Sequence, residues 1–137
     1  MTSATARVPA DLEALAAVRN RLAAALTAER WSDDAAIRVM TASTEALANA
    51  VEHGSGPGAR VEMAFRVTRR AAAVRVTDAG RLGSPAELDD EPEAPSEAST
   101  HGRGRLLMRA LADEVRIRRR GLGTEVRLGF GRGALLA

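Results

Sequence analysis

Hydrophobic positions repeat at two periods along this chain, and the periods change in blocks. Leu15, Val18, Leu22 and Leu26 step by three and four, which predicts one apolar helical face from about Asp11 to Arg30, closed by Trp31. Ile37, Met40, Thr44, Leu47 and Val51 keep the same step in a second helix. Ser32 is placed to cap its start, with Asp33 and Asp34 in the first turn, where the helix dipole favours negative charge. Gly54-Ser55-Gly56-Pro57-Gly58 stops it. The period then falls to two. Val61, Met63, Phe65 and Val67 alternate with Glu62, Ala64 and Arg66, a half-buried strand. Arg69-Arg70 turns the chain, and Ala73 to Asp78 returns as a second strand. A third helix opens at His101-Gly102-Arg103-Gly104, carries Leu106, Leu107, Ala110 and Leu111, and ends near Asp113. Val115 and Ile117 begin another strand, Arg119 to Gly123 turn it, and Thr124, Val126, Leu128 and Phe130 alternate along the last. Arg7-Val8-Pro9 reads as a short edge strand, where proline is tolerated. Residues 131–137 read as a frayed tail. The pattern is that of an α/β protein, with residues 1–137 as one domain.

Several polar residues fall at positions that this pattern marks. Glu45, Asn49 and His53 are four apart, so they stack on one face of the second helix, away from the apolar stripe. Polar residues there are either a solvated face or a carboxylate, an amide and an imidazole presented to a ligand. A carboxylate able to take a proton, beside an oxygen donor for a hard cation, suits phosphoryl transfer with magnesium. Asp78 shares the parity of Val74 and Val76 and therefore faces the core. A carboxylate there needs a partner or a ligand, unless it already caps the turn at Gly80. Thr124 shares the core parity of the last strand. Gly102 and Gly104 either let phosphate oxygens approach the helix amides, with Arg103 and Arg105 adding charge, or form a hinge. Arg81 to Thr100 holds three prolines and six acidic residues without periodicity, a mobile acidic loop.

Composition narrows the chemistry. Hydrophobic residues make up 45% of the chain and aromatics only 2%, so the core is aliphatic. The net charge is +2, yet the pI is about 10.7, because every basic residue apart from the histidines is arginine. Without lysine there is no P-loop and no strand lysine of the protein-kinase kind. A nucleotide would have to be held by backbone amides, arginines and a metal ion. Cysteine is absent, which removes disulfides, thiolate metal sites and thiol nucleophiles. Two histidines alone make a zinc site a poor reading. With so few aromatics to stack bases, the run Arg116 to Arg120 reads as the wet face of an edge hairpin and not as a nucleic-acid patch. No signal peptide or membrane span is visible, and a cytoplasmic location is expected.

The motifs stand in a recognisable order. Glu45-x-x-x-Asn49-Ala50-x-x-His53 resembles the N box of the GHKL (Bergerat-fold) ATPases, the superfamily of gyrase and histidine kinases. Val76-x-Asp78-x-Gly80 resembles the G1 box, Gly102-x-Gly104 the G2 box, and Gly123-Thr124 the closing threonine motif. The Asn-Ala-x-x-His form and Leu111-Ala112-Asp113-Glu114-Val115 resemble the anti-sigma-factor serine kinases within the histidine-kinase-like branch. The resemblance implies a two-layer α/β sandwich, with helices on one face of a mixed, mostly antiparallel sheet and ATP between the layers under the loop at 81–100. It implies Glu45 as general base, Asn49 as Mg²⁺ ligand, and Asp78 and Thr124 on the adenine. Asn49, His53, Gly80, Gly102, Arg103, Gly104 and Arg105 would complete the nucleotide site. It further implies a sigma factor and an anti-sigma-factor antagonist as protein partners, and a homodimer. One departure stands out: the glycine expected two residues after Gly80 comes one later, as Gly83, with Arg81 before it. The alternative function is a binding module of the same fold that sequesters a regulator with little nucleotide turnover.

Overall fold

A computed structural model of the protein describes residues 1–53, 58–79 and 100–131, without the side chains of 53 and 100–102. Its elements follow in the order β1 (Thr2–Pro9), α1 (Leu12–Ala28), α2 (Asp33–His53), β2 (Arg60–Val67), β3 (Ala72–Asp78), α3 (Thr100–Leu111), β4 (Glu114–Arg120) and β5 (Gly123–Phe130). The strands make one sheet in the order β1-β2-β3-β5-β4. All four pairings are antiparallel.

Register gathers the apolar parity of every strand on one face. Met63 lies opposite Val76 and Phe65 opposite Val74. Val76 in turn lies opposite Val126, and Val126 opposite Ile117. This face forms one core with Leu15, Val18, Leu22 and Leu26 of α1 and with the buried positions of α2 and α3. The other face carries no helix among the described residues.

Local signals fix the two long helices. The Asp11 carboxylate accepts the Ala14 amide at 2.8 Å and caps α1. At the far end the Trp31 amide reaches the Leu26 carbonyl, and the Arg30 amide reaches that of Thr27. This is a Schellman turn, with Arg30 in the left-handed region at φ 62° where glycine is usual. It ends α1 at Ala28, two residues before the periodicity suggests. Ser32 caps α2 as expected, its hydroxyl accepting the Ala35 amide at 3.3 Å. The Trp31 indole donates to the Thr68 carbonyl at 2.7 Å, tying the corner between the helices to the β2–β3 turn.

Four expectations change. The buried stripe of α2 is Val39, Ala42, Ser43, Ala46, Leu47 and Ala50, while Ile37 is 61% exposed. Met40, Thr44 and Val51 are only partly buried. Small side chains take the centre because α2 lies over the sheet with a helix on either side. In α3 the buried line is Gly104 and Met108, continued by Ala112, and Leu106 is 55% exposed. The first strand runs over eight residues, its core side made of Ala4, Ala6 and Val8. Arg119 and Arg120 belong to β4, paired with Thr124 and Gly123, so the turn is only Gly121-Leu122.

One backbone approach closes the end of the β3–β5 pair. A Cβ at Gly123 would stand 1.8 Å from the Asp78 carbonyl oxygen. No side chain fits there, and the obstacle is backbone. Gly123→Ala must therefore part β3 from the start of β5. We expect it to destabilise the protein by about 2 kcal/mol or more, read as a lower midpoint in urea unfolding. A midpoint equal to that of the parent would contradict the close approach.

Candidate functional site

Between α2, α3 and the sheet lies an open cleft of about 330 Å³, counting the space continuous with solvent. Its apolar walls are Ala46 and Ala50 of α2, Val76 of β3, Met108 of α3, Ile117 of β4 and Val126 of β5. Its polar groups are Asn49, Asp78, Arg105 and Thr124, each from a different element. Mostly apolar lining with a few converging polar groups is the usual composition of a small-molecule site.

Strand parity delivers two of the four. Asp78 is the last residue of β3 and only 6% exposed. Thr124 is 4% exposed, and its hydroxyl oxygen has no hydrogen-bond partner among the described residues. The two lie on adjacent strands, one step beyond the Thr77–Glu125 pair. Gly123 permits this, since it lets β5 begin against the Asp78 carbonyl. A buried carboxylate and a buried hydroxyl beside flat apolar walls suit a planar heterocycle that offers a donor.

Helix packing delivers the rest. Glu45 and Asn49 lie one turn apart on α2, both half-buried. A Cβ at Gly104 would come within 3.0 Å of Glu45 Oε2 and 3.3 Å of Asn49 Nδ2. The polar stripe of α2 therefore lies over Gly104 of α3 and is not a solvated face. Gly102 and Gly104 sit inside α3 and not ahead of it, because the helix already begins at Thr100. The amides without intrahelical acceptors belong to residues 100–103, so Gly102 and Arg103 keep that capacity while Gly104 provides room.

Arg105 lines the cleft, and its Nη1 is buried without a hydrogen-bond partner among the described residues. Burial pushes this guanidinium below the usual arginine value. It still carries its charge at neutral pH, and that charge is poorly solvated. An anion brought beside it would relieve the cost. Arg103 is exposed.

His53 is the last residue of α2, and its side chain lies outside the described residues, as do Gly80 and the expected loop at 81–99. Among the described residues no three histidine or acidic side chains gather into a metal-binding group. No described helix is long and apolar enough to cross a membrane. Two lining residues escape the motif pattern, Met108 and Ile117. Ile117 shares the core parity of Val115, and Met108 lies four residues after Gly104, so periodicity could have found both.

Comparison with known proteins agrees with this fold. No curated protein matches the chain. Among solved structures, the crystal structure of the RsbU and RsbW domains of Rv1364c from Mycobacterium tuberculosis is similar, at 22% identity and a TM-score of 0.68. The match covers 96% of this chain and 32% of that one, so the protein spans about a third of that structure's length. At this identity the likeness concerns the fold. A family model of the histidine kinase-like ATPase domain matches residues 8–130. That span runs from β1 to the last residue of β5, and the chain belongs to the histidine kinase-like ATPase domain family.

Proposed function

We propose that the cleft binds ATP with Mg²⁺ and that the protein transfers the γ-phosphoryl group to a serine of an anti-sigma-factor antagonist, while also sequestering a sigma factor. The observation that carries the nucleotide half is the convergence of Asn49, Asp78, Arg105 and Thr124 on one apolar-walled cleft in a domain of an ATPase family. The partner half draws on the likeness to a structure containing an RsbW domain and on the motif order.

In this reading Asp78 accepts the exocyclic amino group of adenine, and Thr124 holds the same ring. The apolar walls take the faces of the base. Asn49 holds the cation from the protein side. Magnesium keeps waters and takes phosphate oxygens beside one or two side chains, so one amide oxygen from the protein suits it. When bound, Mg²⁺ neutralises charge on the phosphates. Arg105 and the amides at the start of α3, including that of Gly102, face the phosphates, with Arg103 beside them. Glu45, one turn before Asn49, accepts the proton of the serine hydroxyl as its oxygen bonds to phosphorus and ADP departs.

Three substitutions test these roles. Asp78→Asn should weaken ATP binding about tenfold or more, the loss of one charge-assisted hydrogen bond. Titration calorimetry checks it, and unchanged affinity would remove Asp78 from the adenine site. Glu45→Gln should bind ATP as well as the parent or better, since a carboxylate near phosphates repels them. Its transfer rate should fall about 10²–10⁴-fold. The readout is phosphoserine on a co-expressed antagonist at saturating ATP. Equal incorporation by parent and variant would exclude Glu45 as base. No incorporation by either, despite tight ATP binding, would favour a binding module. Gly104→Ala replaces a helical glycine, which by propensity alone adds about 1 kcal/mol of stability. Its methyl group also presses on Glu45 and Asn49. We expect ATP affinity to fall while thermal stability holds or rises. Parental affinity would contradict the placing of Glu45 and Asn49 at the phosphates.

A further inference from the structure

The face of the sheet that carries no described helix has an unusual charge pattern. Arg75 of β3 lies opposite Arg127 of β5, and Arg127 lies opposite Arg116 of β4. Three like charges thus stand side by side across three neighbouring strands, about 4.8 Å apart in the pairing direction. Like charges directly opposite one another are destabilising. Glu125 offsets part of this. It is 1% exposed and lies 3.2 Å from Arg120, 3.4 Å from Arg127 and 3.9 Å from Arg75. Glu62 pairs with Arg75 at 3.2 Å and Glu114 with Arg116 at 3.8 Å. Three carboxylates therefore stand among the six arginines Arg66, Arg75, Arg116, Arg118, Arg120 and Arg127, and the face keeps a net positive charge. Arg118, directly opposite Glu125 in register, is exposed, and it and Arg66 have no ion-pair partner among the described residues. Between the arginines the face is floored by small residues such as Ala64, Ala73 and Gly129. The outcome is a shallow, arginine-rich trough on the side of the sheet away from the cleft.

We propose that this trough is a docking surface for an acidic, extended segment of a protein partner. Arginine forks suit carboxylates bidentately. Arg116, Arg118 and Arg120 point the same way along β4 at a spacing of two residues, about 6.8 Å per step. That matches alternate carboxylates of an extended chain. β4 is also an edge of the sheet, bonded only to β5 among the described strands. An added strand can therefore pair its backbone there while its carboxylates meet the arginines. Two other occupants fit less well. A nucleic acid strand would find no aromatic side chain on this face to stack its bases on. A second copy placed face to face about a two-fold axis would set arginine against arginine. The proposal does not depend on the nucleotide reading, because the trough and the cleft lie on opposite faces.

The test uses a fluorescein-labelled peptide of alternating Glu and Ser, with no nucleotide present. Fluorescence anisotropy should show binding that weakens with added salt. The double variant Arg66→Glu with Arg118→Glu breaks no described ion pair, but residue 118 lies directly opposite Glu125, so it should melt somewhat below the parent and is compared at a temperature where both are folded. It should bind the peptide about tenfold or more weakly. Arg19→Glu with Arg21→Glu on α1 carries the same change of charge and should stay within about twofold, since those positions lie in the helical layer. Equal losses in the two variants, or no peptide binding by the parent, would overturn the proposal. So would tighter binding of an oligothymidine of matched charge, or a parent dimer that the Arg66→Glu, Arg118→Glu variant abolishes.

Discussion

Position 123 admits no side chain, and much of the site depends on that. Gly123 lets the first residues of β5 run against the Asp78 carbonyl. The approach sets the register of β3 on β5, and register decides which side chains share a face. Asp78 and Thr124 then come together at the end of two neighbouring strands, both turned toward the helices. A slip of β5 by one residue would send Thr124 to the arginine face, while Asp78, held by the pairing with β2, stayed inward. Gly104 sets a second close approach, between α3 and the Glu45–Asn49 face of α2. The cleft lies between these two contacts, one made with the sheet and one made by the helices.

The layers divide the chemistry between them. The sheet supplies a carboxylate and a hydroxyl against apolar walls, an environment for a base. The helices supply an amide, a carboxylate and a poorly solvated guanidinium, an environment for charge. Burial around Arg105 disfavours its charged form, so its interaction with an incoming anion gains from desolvation already incurred in folding. The opposite face of the sheet gathers arginines that the cleft does not use, held by Glu125. The fold thus keeps two charged surfaces apart by the thickness of one sheet.

Much of this was legible in the sequence, and the exceptions share a cause. Strand period placed Asp78 and Thr124 inward, and helix period put Glu45 and Asn49 on one face, because large apolar neighbours marked the phase. The phase failed where the buried residues are small. Ala42, Ser43, Ala46 and Ala50 fill the centre of α2 without a hydropathy signal, so the stripe through Ile37 looked stronger. Gly102 and Gly104 read as the opening of the helix or a hinge because glycine disfavours a helix interior, yet α3 begins at Thr100 and the contact with Glu45 and Asn49 needs Gly104 within it. The first strand extends well before Arg7 without a hydropathy signal, because Ala4 and Ala6 barely contrast with their neighbours. Arg119 and Arg120 read as a turn by composition, whereas pairing with Thr124 and Gly123 keeps them in β4.

The central claim is that the Asp78 and Thr124 corner reads adenine while the α2–α3 contact holds the magnesium-bound phosphates. The most direct measurement is calorimetric titration of the parent protein with ATP and with GTP, each with and without Mg²⁺. The account predicts that ATP binds with Mg²⁺, that removing Mg²⁺ weakens it, and that GTP, which presents a carbonyl where adenine has its amino group, binds at least about tenfold more weakly. Equal affinity for the two nucleotides, or no heat from either, would contradict it.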